Sequence, residues 1–145
     1  MSEYLAQQGA ALSNRLSREQ CYLLMMKPNP DAPLDLPPGM SREQLRIRHH
    51  EYLVDLEQRG IIFAAGPFAD IGEKPSGSGM IIVRVKNRGE AARIGEQEPY
   101  TKAGLRLMEI IPWQRTEGSI RLELRLADGV LKIDERTYHL QKSDD

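Results

Sequence analysis

A chain of 145 residues has room for one domain with decoration, and it is long enough to bury its own hydrophobic core. With 20 Lys+Arg against 21 Asp+Glu it carries no global basic field, which argues against nucleic acid or an anionic membrane as a partner. The apolar runs fall far short of the roughly 20 residues that span a bilayer, the first residues Met1-Ser2-Glu3-Tyr4 do not resemble a secretory leader, and the single cysteine, Cys21, has no partner for an internal disulfide, so a cytoplasmic protein is expected.

In chain order, residues 1–18 are weakly patterned, with a short helix possible around Tyr4 to Leu12, and are treated as an appendage. Cys21 to Met26 is a continuous apolar run that predicts a strand buried on both faces and ending at Lys27-Pro28. Five prolines and two aspartates between Pro28 and Pro38 then enforce a loop. Ser41 with Gln44 has capping-box spacing and Gly60 suits the position after a last turn, which bounds a helix over about 42–59. At about 100° per residue, Leu45, His49, Tyr52, Leu53 and Leu56 share one arc, and Arg48, Glu51, Asp55 and Arg59 face solvent.

Ile61 to Ala64 predicts a second strand, followed by a turn-rich stretch that ends Ser76-Gly77-Ser78-Gly79 and fits either a flexible hairpin loop or a substrate lid. Met80 to Lys86 predicts a third strand. Asn87 with Glu90 caps a helix over about 88–97, which Pro99 ends because the residue before a proline avoids the α region. Leu105 to Trp113 predicts a fourth strand. Strand, helix, strand, strand, helix, strand is the ferredoxin-like α+β arrangement with an antiparallel sheet. Two helices cover one face of such a sheet, so packing against a second copy, a homodimer, is the simplest cover for the other. Beyond this domain of 19–115, residues 116–145 form an extension: Ile120 to Leu126 alternates with period two, and Asp128-Gly129 before Val130 to Asp134 predicts a β-hairpin.

Both helices aim one titratable residue inward, His49 on the first and Glu98 one helical repeat after Ala91 on the second. A carboxylate beside an imidazole fixes its tautomer and favours the protonated ring, which suits general acid/base work near neutral pH. The alternative is a satisfied core histidine and an exposed helix-end glutamate. Three histidines and one cysteine show no metal-ligand spacing, so no metal site is assigned, and no nucleotide fingerprint implies a cofactor. Cys21 fits a buried structural thiol better than a nucleophile. Tyr22, Tyr100 and Trp113 are candidate pocket walls or core.

Arg48-His49 followed by Tyr52-Leu53 and Leu56, then Gly60-Ile61-Ile62-Phe63-Ala64-Ala65-Gly66-Pro67, Gly79 opening a strand, Glu90-Ala91-Ala92, Glu98-Pro99-Tyr100, Ala103-Gly104 and Ile111-Pro112-Trp113 together resemble the YCII-related domain family over residues 20–115. The resemblance implies a dimeric ferredoxin-like α+β barrel, similar to muconolactone isomerases and to a chloro-hydroxyhydroquinone dehydrochlorinase that contains this type of domain. It also implies a catalytic pair made of a first-helix His, matched by His49, and an Asp of an Asp-Pro-Phe/Tyr motif, where this chain has Glu98, longer by one methylene. Tyr22, Gly66, Pro67 and Tyr100 are then the expected substrate-binding positions. The implied function is a cofactor-independent lyase or isomerase acting on a small cyclic or unsaturated organic acid; the alternative is a non-catalytic dimeric module that binds a small ligand or a protein.

Overall fold

The computed structural model describes residues 1–16, 18–125, 127, 129–133 and 136–141. They fall into two compact units, the central Arg18–Arg115 and the segments that flank it in sequence.

The central unit opens with β1 (Glu19–Pro28), which runs through Lys27-Pro28 where the sequence suggested a stop. The strand continues because Lys27 and Pro28 stay in register with Leu107 and Arg106 of β4 (Arg106–Arg115), and a proline at the last position of a strand forfeits little of the ladder. The helix α2 (Arg42–Gln58) begins at the expected capping box: the Ser41 hydroxyl accepts from the Gln44 N–H at 3.1 Å and the Gln44 side chain accepts from the Ser41 N–H at 2.7 Å. Its apolar arc is turned inward as the periodicity requires, with Leu45 and Leu56 buried and Tyr52 and Leu53 half-buried, while Arg48, Glu51, Asp55 and Arg59 are exposed.

The strand β2 (Ile62–Pro67) is longer than Ile61 to Ala64, and β3 (Gly79–Val83) is shorter than Met80 to Lys86. The third strand stops early because its last backbone tie is the Arg84 N–H to the Ile61 carbonyl at 2.7 Å, after which the Lys86 N–H donates to the Glu90 side chain and the chain commits to the next helix. That helix, α3 (Arg88–Gln97), is capped by Asn87, whose side chain accepts from the Glu90 N–H at 2.9 Å. A short α4 (Pro99–Lys102), absent from the sequence reading, follows before β4. Proline lacks the N–H that a first helical position does not use, so the residue that ends α3 also starts α4.

The four strands form an antiparallel sheet in the order β2-β3-β1-β4, which is the ferredoxin-like order. Leu24 and Met26 of β1, Ile81 and Val83 of β3 and Ala91 of α3 make the buried core, with Leu53, Ile94, Met108 and Ile110 packed against it. Each fully buried aliphatic side chain of this kind stabilises the fold by about 1.5–3 kcal/mol. Gly95 brings α3 onto the sheet: a Cβ there would stand 1.7 Å from the Met108 sulfur, so the methionine occupies the space a side chain would need. The opposite sheet face carries Cys21, Leu23, Met25, Ile82, Ile111 and Trp113 by strand alternation.

In the flanking unit, α1 (Ser2–Ser13) buries no residue. The expected hairpin is present as β5 (Leu122–Arg125) paired with β6 (Val130–Ile133), and a further strand, β7 (Arg136–His139), pairs with β6 to make a three-stranded antiparallel sheet. Leu126, Asp128 and Asp134, also assigned to the hairpin from sequence, lie outside the described residues. Among the described residues no helix is long and apolar enough to cross a membrane.

Gly79 is the point where β2 and β3 approach too closely for a side chain, since an added Cβ would meet the Gly66 carbonyl oxygen at 2.6 Å and the Pro67 Cα at 3.0 Å. Both obstacles are backbone. Gly79→Ala is therefore expected to lower stability by about 1–3 kcal/mol in denaturant melts, whereas Gly66→Ala, with open space around the added carbon, leaves it within about 1 kcal/mol of the parent.

Candidate active site

Glu98 closes α3 and caps α4, with φ −60° and ψ 126°. It lies at the junction of two helices, one step beyond the helical position the sequence suggested, because Pro99 forces the preceding residue out of the α region. The side chain is 0% exposed. A buried carboxylate needs donors, and Glu98 has four. Its Oε1 accepts from the Tyr100 N–H at 3.1 Å and pairs with His49 Nδ1 at 2.7 Å; its Oε2 accepts from the Thr101 N–H and the Thr101 hydroxyl, each at 2.9 Å. Glutamate is an unusual cap. The extra methylene lets both oxygens cap α4 while one still reaches the imidazole.

Burial on its own pushes the Glu98 carboxyl up, but the hydrogen bonds from His49, the Tyr100 and Thr101 N–H groups and the Thr101 hydroxyl outweigh it, so the group sits below its ordinary value of 4.5. An ionised carboxylate only accepts, so the His49 nitrogen facing it, Nδ1, carries a hydrogen and Nε2 is the nitrogen left for other chemistry. The His49 side chain is 15% exposed. The Tyr100 ring meets it edge-on at 5.1 Å between centroids, and His50 lies 5.2 Å away on the same helix. Tyr52, one turn further along α2, donates its hydroxyl to the Ile94 carbonyl at 2.8 Å and so ties α2 to α3. Burial, and then the Glu98 charge, push the Tyr52 phenol up and keep it a donor.

His49 forms part of the wall of a cleft of about 890 Å³, within the range of about 300–1,000 Å³ typical of small-molecule sites. The rest of the wall comes from Met26 and Pro28 at the end of β1, the loop through Pro33, the β2–β3 connection from Ala65 to Gly79, Tyr100 and Arg106. Of the four positions expected from sequence to bind substrate, Gly66, Pro67 and Tyr100 line this cleft. Tyr22 does not: it packs against the core four residues from Met26 along β1, which at about 3.3 Å per residue puts it well away from the opening. Trp113 lies on the opposite sheet face, 5.9 Å from the Phe63 ring. Cys21 is fully buried and its thiol is pushed up, by burial first and by Glu19 second, in keeping with a structural role. Among the described residues no cluster of side chains could hold a metal ion.

Sequence reasoning missed Arg42, Arg46, Lys74 and Arg106, which also line the cleft. Arg42 and Arg46 share a helical spacing that could have been noticed; Arg106 and Lys74 come from separate loops and strand ends, and only the fold assembles them.

The YCII-related domain matches residues 21–114. The chain belongs to the YCII-related family. A solved structure of 5-chloro-2-hydroxyhydroquinone dehydrochlorinase (TftG) from Burkholderia phenoliruptrix AC1100, in complex with 2,5-dihydroxybenzoquinone, is similar to it with 23% identity and a TM-score of 0.41, covering 63% of this chain and 92% of that one. Among curated proteins, none matches the chain.

The linkage of Glu98 has a definite sign. A folded-state value below the unfolded one contributes stability that is fully present above the unfolded value of 4.5 and is lost as pH falls through the folded one. Thermal melts of the parent are expected to lose stability from about pH 5 downward. In Glu98→Gln that component is missing, and at neutral pH the variant is less stable by about 1–3 kcal/mol, because an amide nitrogen must face a donor.

Proposed function

We propose that this YCII-related protein is a cofactor-independent lyase or isomerase that acts on a small cyclic or unsaturated organic acid, with His49 as the proton-transfer residue and Glu98 as the group that orients it. The observation that carries this reading is the 2.7 Å contact between His49 and a fully buried, fully bonded Glu98 at the wall of a ligand-sized cleft. In this scheme neutral His49 takes a proton from an acidic C–H of the substrate at Nε2, and the Glu98 carboxylate stabilises the imidazolium that forms. For an isomerase the proton returns at another carbon of the same unsaturated system. For a lyase the electron pair expels a leaving group, which can depart with that proton. Tyr100, Gly66 and Pro67 bound the space in which the substrate lies.

The test uses proton exchange. A panel of unsaturated acids and lactones is incubated with the protein in deuterium oxide and followed by NMR. The parent is expected to exchange or convert at least one of them. His49→Ala, with its fold checked by circular dichroism, is expected to lose at least about 100-fold in that rate. Retention of the rate in His49→Ala would falsify the assignment.

The active form is a homodimer joined sheet to sheet, and the chain works in the cytoplasm. Support for the dimer comes from the family membership together with the apolar sheet face opposite the helices, where Ile111 and Trp113 are each 36% exposed and Leu107 is 52% exposed. Light scattering on the parent is expected to give twice the chain mass, and Ile111→Asp, which sets a charge on the part of that face carried by β4, to give the monomer. A monomeric parent excludes this assembly.

A further inference from the structure

The chain is close to neutral overall, with a formal net charge of −1, yet its cleft is one-signed. The charged side chains among its described lining residues are Arg42, Arg46, Lys74 and Arg106, and no carboxylate lines it. Arg46 is partly neutralised by Glu43, with contacts of 2.6 and 3.1 Å. Arg106 is different. It is half-buried, no carboxylate stands within ion-pair distance of it among the described residues, and its guanidinium rests over the Tyr100 ring at 4.2 Å from the centroid. Tyr100 is also the ring that meets His49 edge-on. A guanidinium stacked on an aromatic face is held in orientation without being neutralised, and its planar fork is left to bind a carboxylate with two hydrogen bonds.

We infer that Arg106 is the residue that anchors the carboxylate of the ligand, placing the carbon skeleton beside Tyr100 and toward His49, and that the cleft selects anionic over neutral ligands. This inference rests on the cleft beside His49 being the substrate site, and it deepens the proposed function by naming what the site recognises. Arg42 and Lys74, both exposed and without a carboxylate partner among the described residues, supply a positive rim that draws the anion in. A partly desolvated cation with no counter-charge is a cost to the unliganded protein, and an arriving carboxylate removes that cost.

The experiment compares three carboxylates, benzoate, sorbate and cis,cis-muconate, with the primary amides of the same skeletons, by saturation-transfer NMR and calorimetry on the full chain. The parent is expected to bind at least one carboxylate about tenfold more tightly than its amide. Arg106→Gln should bring the two within about twofold. Arg106→Met, which keeps an aliphatic stem against Tyr100, should do the same and covers the case in which the glutamine variant does not fold. Lys102→Gln, a surface change outside the cleft, should leave the preference intact. Equal binding of acid and amide by the parent, binding of neither, or a preference that survives both Arg106 variants overturns the proposal. His49→Gln separates the two claims: an acid preference that persists in this variant, with no proton exchange in the parent, sustains the anion site and removes the catalytic role of His49. Exchange confined to neutral substrates does the reverse.

Discussion

The central constraint in this molecule is a carboxylate sealed from water. Glu98 is fully buried, and a charge in that position is tolerated only because its oxygens are saturated by donors from α2 and from the backbone and hydroxyl of α4. Those bonds fix more than the glutamate. They hold α2 beside the junction of α3 and α4, a placement reinforced by the Tyr52 hydroxyl on the Ile94 carbonyl, and they select which nitrogen of His49 faces the cleft. Gly95, whose missing side chain admits Met108, then seats α3 on β4.

The sheet separates two tasks. Along β1, Leu24 and Met26 point to the helices and close the core, and Met26 reaches the floor of the cleft, while Cys21, Leu23 and Met25 point the other way. At one end of that second face Glu19 lies between Arg84 at 2.6 Å and Arg115 at 2.7 Å, and both guanidinium groups stack on Phe63. Here positive charge is matched by a carboxylate. In the cleft Arg46 has such a partner in Glu43, whereas Arg106 rests on the Tyr100 ring with no carboxylate at ion-pair distance among the described residues.

The departure of Glu98 from an aspartate also acquires a physical meaning. A shorter acid is the better helix cap in general, and in this chain the longer arm spans from the α4 backbone to an imidazole 2.7 Å away without giving up either cap contact. The methylene extends the reach of the pair and does not break it.

Much of this was written locally. Ser41 with Gln44, and Asn87 with Glu90, set helix starts because capping is satisfied within four residues of chain, and the arc of Leu45, His49, Tyr52, Leu53 and Leu56 oriented α2 because a 3.6-residue period needs no tertiary information. The strand ends were not local: Lys27 and Pro28 stay in β1, and Arg84 to Lys86 leave β3, according to which neighbour offers a hydrogen-bonding partner. Nor was the cleft. The sequence by itself determined the strand-helix-strand-strand-helix-strand succession and the place of His49 on the inner arc of α2. Only the tertiary structure decided that Glu98 would be a buried cap instead of a helix-face residue, that Tyr22 and Trp113 would lie away from the cleft, and that Arg106 would stand over Tyr100. Those outcomes depend on contacts between segments far apart in the chain, which no local pattern records.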